Sequence, residues 1–266
     1  MNKIKDFYEN NYNENERMIR NPLEFLRCKE IISRYLSQDP MEIADIGGAT
    51  GIFSYWLAQM NHIVHLLDYT PLHIEQAKEN GKNLNLSLAS YVCGDARKVP
   101  YHDNQFDLVL EMGPLYHLQD KNDRMRCLLE AKRILKSDGV VVCEVISKYV
   151  NLFEGFQWNL VDNKRFVEIL DENLSTGNHS PDDTQYFTTA HFHTPNDIIN
   201  ELEDAGFANI SIIPVEGFAN ILNITEYFEN ESKKELLLKY IRKTENIPEL
   251  FGVSGHFMAV GKKHSK

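Results

Sequence analysis

The sequence predicts an α/β protein of the doubly wound kind, a mostly parallel sheet with helices on both faces. Three observations carry this. Short apolar runs alternate with segments of helical spacing through the first 147 residues and again after residue 194. The first apolar run, Ile43-Ala44-Asp45-Ile46, ends in the small-residue cluster Gly47-Gly48-Ala49-Thr50-Gly51 and then an amphipathic stretch. Neither an internal repeat nor a low-complexity tract interrupts the rhythm. A strand, a tight glycine turn and a helix are where open α/β sheets bind nucleotide-like cofactors, because glycines let the backbone approach a ligand over the helix N-terminus.

The elements follow in order. Residues 5–20 are polar and carry Tyr8, Tyr12 and Arg17. They read either as a surface arm or as a lid whose aromatics close over a ligand, with Arg17 pairing a carboxylate. Asn21-Pro22 starts a helix whose apolar face runs from Leu23 to Leu36. After the glycine turn, His62–Asp68 is a second buried strand ending in an acid. Thr70-Pro71 opens a helix that Gly81 is expected to stop. Leu86–Cys93 and Phe106–Met112 are the third and fourth strands. Asp120–Lys136 is a helix with Leu128, Leu129 and Ile134 on one face, and Ser137-Asp138-Gly139 turns into a fifth strand, Val140–Ile146.

The rhythm breaks from Lys148 to Ala190, where aromatics mix with polar turns; a connection this long is usually functional or forms a small subdomain. A helix from Thr194-Pro195 to Leu202, a strand at Ile210–Pro214, a helix at Lys233–Lys243 and a last strand at 255–261 complete the chain. The expected organisation is one domain over 1–266: an N-terminal arm and helix (1–36), a cofactor-binding core (37–147), an insertion (148–193) and the rest of the sheet (194–266).

Composition narrows the partners. The chain is 42% hydrophobic and 25% charged, and its 28 Lys and Arg against 39 Asp and Glu give a net charge of −11. That disfavours a nucleic-acid backbone as partner, since such proteins present a basic face. The four cysteines are scattered with no Cys-x-x-Cys pair, which suggests neither a zinc site nor a disulfide framework but buried thiols of a reducing compartment. No apolar run has the length of a membrane span and the first residues lack a signal-peptide core, so a cytoplasmic location is expected. Oligomeric state is left open.

A dinucleotide fingerprint requires G-x-G-x-x-G and a P-loop requires Gly-Lys-Ser/Thr; neither pattern is present. The pattern present is Asp45-x-Gly47-x-Ala49-x-Gly51, an acid followed by G-x-A-x-G. Here the chain resembles the class I S-adenosylmethionine-dependent methyltransferases, departing from their G-x-G-x-G at Ala49. Asp68 stands where the family's acid binds the cofactor ribose, and a carboxylate can accept from two neighbouring hydroxyls. Gly94-Asp95-Ala96 stands where the family contacts adenine. Phe106–Glu111 and Leu128–Gly139 resemble its fourth strand and the helix before its fifth, so the likeness covers about residues 40–147. The resemblance implies a Rossmann-like, seven-stranded sheet with the last strand antiparallel. It also implies S-adenosylmethionine as methyl donor and S-adenosylhomocysteine as product. Its implied cofactor contacts are Asp45, Gly47, Gly48, Ala49, Gly51, Asp68, Tyr69, Gly94, Asp95, Ala96, Glu111 and Met112.

The tract Gly113-Pro114-Leu115-Tyr116-His117 is similar to one in small-molecule methyltransferases related to the quinone C-methyltransferases. An imidazole there is a candidate base with a pKa near working pH, or a group that packs against the cofactor. His193 is a second candidate, either facing a substrate pocket or capping the next helix. With His191 it offers two ligands and no identified third, so no metal is expected. Tyr8, Tyr12, Arg17 and Tyr116 are candidate lid or substrate contacts. The aromatics of 148–193 line a substrate pocket or form the insertion's own core. The expected function is methyl transfer to a small molecule; the alternatives are an RNA-modifying methyltransferase and a cofactor-binding module without catalysis.

Overall fold

Strand β1 (Glu42–Ile46) lies inside a seven-stranded sheet, with Ile43 to Ile46 buried. Ile43 faces one apolar layer while Ala44 and Ile46 face the other, the period-2 alternation of a strand covered on both sides. The structure is a computed structural model and describes residues 2–10, 12, 14, 16, 21–181 and 186–264. Arg17 lies outside the described residues.

Strand β1 pairs in parallel with β2 (Ile63–Asp68) on one side and β4 (Phe106–Glu111) on the other. Beyond them, β3 (Ser90–Cys93) flanks β2 and β5 (Leu135–Ile146) flanks β4. The order is β3-β2-β1-β4-β5-β9-β8, with β9 (His256–Lys263) antiparallel to both β5 and β8 (Phe207–Pro214). The chain reverses its direction of winding between β1 and β4, which opens a crevice at the carboxyl ends of these strands.

Helices fill both layers. On one face α2 (Pro22–Ser33), α3 (Ile52–Gln59) and α4 (Pro71–Leu84) bury Ile31, Ile32, Leu57, Ile74 and Ala77. On the other face α6 (Lys121–Ile134) and α9 (Pro195–Asp204) bury Leu128, Ala131, Ile198 and Leu202. Asp120 caps α6 through the Asn122 amide, and Thr194 with Asp197 forms a capping box at α9.

Several boundaries differ from the sequence reading. Gly81 does not stop α4, which runs to Leu84 and ends at Asn85 in the left-handed region (φ 53°). Gly81 is needed for packing instead, since a Cβ there would stand 2.4 Å from the Tyr55 hydroxyl. Strand β5 begins at Leu135, and the register with β4 shifts between Phe106 and Leu108, so Ser137-Asp138-Gly139 is a bulge within one strand.

The insertion is mostly helical: α7 (Val150–Gln157), a 3₁₀ turn and α8 (Lys164–Thr176), then a two-residue ladder between β6 (Asn178–His179) and β7 (Ala190–His191). Helices α10 (Thr225–Phe228) and α11 (Glu231–Thr244) lie between β8 and β9. At the start of the chain, α1 (Asn2–Asn10) buries Ile4, Phe7 and Tyr8, and Phe7 meets Phe187 of the insertion at 5.5 Å. Over residues 5–10 the reading as a surface arm therefore gives way to a docked amphipathic helix. No helix among the described residues is long and apolar enough to cross a membrane.

Candidate active site

The glycine turn after β1 needs its residue types for two reasons. Gly47 (φ 73°) and Gly51 (φ 83°) occupy the left-handed region, and a Cβ on Gly47 would stand 2.5 Å from Cδ of Pro114. Gly48 passes over the Asp45 carboxylate, where a Cβ would come within 2.5 Å of Oδ2. Ala49 is left-handed too, at φ 48°, so the residue that replaces the family's middle glycine keeps the glycine conformation. Its amide donates to Asp68 Oδ2 at 3.0 Å.

This turn walls a cavity at the carboxyl ends of β1 to β4. The cavity holds about 700 Å³ of atom-free space, part of it open to solvent, within the roughly 300–1,000 Å³ usual for ligand sites. Gly47 and Ala49 line it from the first turn, Asp68 and Tyr69 from the second strand, Gly94-Asp95-Ala96 from the third, and Met112 from the fourth. Tyr8, Tyr116 and His117 line its outer end.

Asp68 is more committed to the protein than its sequence role implies. Oδ1 accepts from the Thr70 amide at 2.8 Å and pairs with His73 Nδ1 at 3.0 Å, while Oδ2 takes Ala49. Three of about four acceptor positions are filled, so the carboxylate ties the turn to β2 and keeps about one position for a ligand hydroxyl. Asp95 is gripped by Arg97 through its backbone amide and Nε, both at 2.9 Å, and Arg97 also reaches Asp123. The guanidinium holds the Asp95 carboxyl below its ordinary range.

Four expected contacts stand outside this lining. Asp45 is fully buried beneath the turn, where Oδ2 accepts the Ser54 hydroxyl at 2.6 Å and Oδ1 has no hydrogen-bond partner among the described residues. Burial raises its pKa to about 6. Its place is that of a brace between β1 and α3, not of a ligand contact. Gly48 faces a smaller hollow beside Phe25 and Phe53, and Gly51 supports the turn against Tyr55. Glu111 is buried, its Oε2 accepts from the Cys127 thiol at 3.2 Å, and burial pushes its pKa up.

His117 ends the short helix α5 (Pro114–His117), where its Nε2 lies 2.9 Å from the Tyr8 hydroxyl of α1. Phe187 stacks on its imidazole at 5.7 Å. His193 is elsewhere: fully buried, it lines none of the cavities described here, and its Nε2 lies 3.5 Å from Glu201. Its backbone joins the insertion to the sheet, donating to Ile146 O at 2.8 Å and accepting from the Lys148 amide at 2.9 Å. Of the two readings of His193, its burial places the side chain in the packed interior and off the walls of these cavities. Burial works to raise the Glu201 pKa, but His193 and the bidentate Arg124 bring it down to about 2.

A second cavity adjoins the first, sharing Tyr8, Glu14 and Tyr116 with it, and holds about 1,260 Å³ including space open to solvent. Tyr12 lines this one, with Phe166, Tyr186, Phe187 and Phe192 of the insertion. Its other wall brings together Glu24 of α2, Glu154 of α7 and His256 of β9, residues absent from the sequence reading. No motif joins them; they meet only because three distant elements converge. Glu216 accepts from the His256 amide at 2.9 Å and holds its Nδ1 at 2.8 Å. Burial alone would lower the His256 pKa, but Glu216 and Glu24 carry it up to about 10. Glu24, Glu216 and His256 lie close enough to share an ion, although Glu216 and His256 already bond each other.

Comparison with known proteins follows the same lines. Residues 44–143, from β1 into β5, match the family described as a methyltransferase domain. The demethylmenaquinone methyltransferase of Thermotoga maritima is 24% identical over 184 residues, covering 67% of this chain and 75% of that protein. A protein of Bos taurus named "Probable tRNA methyltransferase 9B" is 31% identical over 105 residues, but this covers 39% of the chain and only 21% of that longer protein. Among solved structures, a SAM-dependent methyltransferase from Methanosarcina mazei superposes with a TM-score of 0.61 at 20% identity, covering 89% of this chain and 98% of that one. The cavity at the strand ends, lined by a left-handed glycine turn and by carboxylates from the second and third strands, has the polar groups an adenosyl sulfonium needs. With the matched domain spanning those same strands, residues 44–143 form a methyltransferase domain, and the sheet around them has the fold of S-adenosylmethionine-dependent methyltransferases.

Proposed function

We propose that this methyltransferase acts on a small-molecule acceptor held in the second cavity, with His117 and Tyr8 at the junction of the two cavities. The observation that supports this most is that Tyr8 and Tyr116 line both spaces, so a cofactor in one and an acceptor in the other meet beside the Tyr8–His117 hydrogen bond. In this reading Gly47, Ala49, Asp68, Tyr69, Asp95 and Met112 hold the cofactor. When bound, S-adenosylmethionine supplies an electrophilic methyl group on sulfur. The protein supplies alignment and a dry site, which α1 and the insertion provide by covering the junction. If the acceptor atom carries a proton, Tyr8 passes it to His117 Nε2, the atom its hydroxyl already contacts. The same reading takes the chain as one methyltransferase domain in a cytoplasmic setting, supported by four free cysteines.

Calorimetry with S-adenosylhomocysteine is expected to show binding that Asp68→Ala weakens about tenfold, the scale of one or two charged hydrogen bonds. His117→Ala is expected to lower turnover roughly 10²-fold with cofactor affinity retained, the usual scale of a general base. Unchanged turnover would reduce His117 to a packing residue. A second reading, an RNA acceptor, is favoured by the name of the bovine relative. It requires tRNA binding that weakens steeply with salt, and the net charge of −11 opposes it.

A further inference from the structure

We infer that the acceptor presents a hydrogen-bond donor, an O–H or N–H group on a ring, to Oδ1 of Asn151 in the wall of the second cavity. This deepens the proposed function and rests on reading that cavity as the acceptor site.

Asn151 stands in the first turn of α7 and lines the cavity, yet it is only 8% exposed. Two neighbours fix the orientation of its amide through their own hydrogen bonds. His179 of β6 has Nε2 2.7 Å from the carbonyl oxygen of Tyr186. A carbonyl only accepts, so Nε2 carries the proton. Burial lowers the His179 pKa, which keeps the ring neutral and leaves Nδ1 as an acceptor. The Asn151 atom that faces Nδ1 at 3.3 Å must therefore be the donor, Nδ2.

Asn173 of α8 dictates the same orientation from the other side. Its Nδ2 donates to the carbonyl of Asn178, so Oδ1 is the end it turns to Asn151. That oxygen takes the second hydrogen of the Asn151 amide. Asn173 Oδ1 also stands 3.4 Å from His179 Nδ1, two acceptors sharing the one NH2 group.

Both hydrogens of the Asn151 amide are thus committed inside the protein, and the group left for the cavity is Oδ1. It makes no hydrogen bond among the described residues and, unlike Oδ1 of Asp45, it is not sealed from solvent. A shielded carbonyl oxygen needs a donor, and a ligand that displaces water from it must bring one. Asn173 and His179, from two other elements, are almost wholly buried around this single amide. A satisfied buried network of this kind specifies one arrangement of its members. Phe166, Tyr186, Phe187 and Phe192 line the same cavity and suit a flat ring as the carrier of the donor. A ring bearing only ethers or carbonyls would set its lone pairs or methyl groups against Oδ1.

The test uses the full chain saturated with S-adenosylhomocysteine and two matched pairs of probes: 1-naphthol with 1-methoxynaphthalene, and indole with 1-methylindole. Calorimetry is expected to rank the donor-bearing member about tenfold tighter in at least one pair, the scale of a hydrogen bond made against an acceptor left unsatisfied. The pair that shows the preference tells O–H from N–H. Asn151→Leu is expected to shrink it to threefold or less with S-adenosylhomocysteine still bound. Asn151→Ser, whose side chain is too short to reach the ring, is expected to do the same and stands in if the leucine variant does not fold. A preference below threefold in both wild-type pairs, no binding of any probe, or a preference that outlasts the substitution in a variant still binding S-adenosylhomocysteine overturns the inference. Tyr116→Ala separates this from failure of the underlying reading. Probe binding that Tyr116→Ala weakens, without any donor preference, leaves the acceptor cavity standing and removes only the Asn151 contact; affinities indifferent to Tyr116→Ala place the binding outside that cavity and overturn both.

Discussion

At the scale of single residues, the turn after β1 shows two side chains held in unusual states. Ala49 sits at φ 48°, a region that costs an L-residue about 1–2 kcal/mol. Ala49→Gly removes that strain while adding about 0.4–1 kcal/mol of unfolded-state entropy. Thermal unfolding of Ala49→Gly is therefore expected to show a gain of up to about 1 kcal/mol; a lower Tm would mean that the methyl group packs to advantage. Asp45 is the second case. Its folded pKa of about 6 lies above the ordinary 3.8, so the folded state holds its proton more tightly than the unfolded chain does. Stability from this group is thus present below pH 3.8 and lost as pH rises through 6, about 3 kcal/mol at most by the linkage of 1.36 kcal/mol per unit. Asp45→Asn keeps an acceptor for Ser54 and cannot ionise. Urea unfolding from pH 4 to 7 is expected to show the wild type losing stability relative to Asp45→Asn, and parallel curves would refute the shift.

At the scale of elements, a buried cation ties α6 to α9, beside the exposed Lys121–Asp204 pair. Arg124 donates to both oxygens of Glu201 and to the carbonyls of Leu118 and Gln119, all within 3.1 Å. Arg124→Ala strands a buried carboxylate beside His193 and is expected to cost about 3–5 kcal/mol in urea unfolding. A loss under 1 kcal/mol would mean that water or a rearranged neighbour replaces it. His193→Ala acts on the same seam, so its damage is expected in stability, with turnover per folded molecule close to normal. The contrast with His117 marks what the sequence could reveal. Asp68, Gly94-Asp95-Ala96 and the glycine turn were legible because each sits at a strand end, where a local pattern sets position. His117 and His193 look alike in one dimension, both following apolar stretches. Only the packing of α9 against β8, β9 and α6 puts one inside the molecule and leaves the other facing α1.

At the scale of the whole molecule, the alternation of strands and helices was enough to read the doubly wound sheet, because each buried parallel strand must be an apolar run. The floor of the second cavity was not legible. Glu24, Glu154 and His256 come from α2, α7 and β9, with Glu216 from the segment after β8 behind His256, and no spacing relates them. Their convergence nevertheless has a consequence for global stability. His256 is raised to about 10 in the folded state against an ordinary 6.5, so its contribution is complete below pH 6.5 and is lost as pH climbs through 10. At the acid end, Glu201 is depressed to about 2, so its contribution is present above its unfolded value near 4.5 and lost as pH falls through 2. The two arms enclose a neutral range of greatest stability, with the Asp45 slope tilting it toward the acid side. His256→Gln removes the alkaline arm by making position 256 unable to ionise, although it also leaves Glu216 without its cation. Guanidinium unfolding from pH 6.5 to 10 is expected to show a steady fall for the wild type and a lower, flatter profile for His256→Gln. Equal slopes in the two proteins would show that the buried Glu216–His256 pair does not set the alkaline limit.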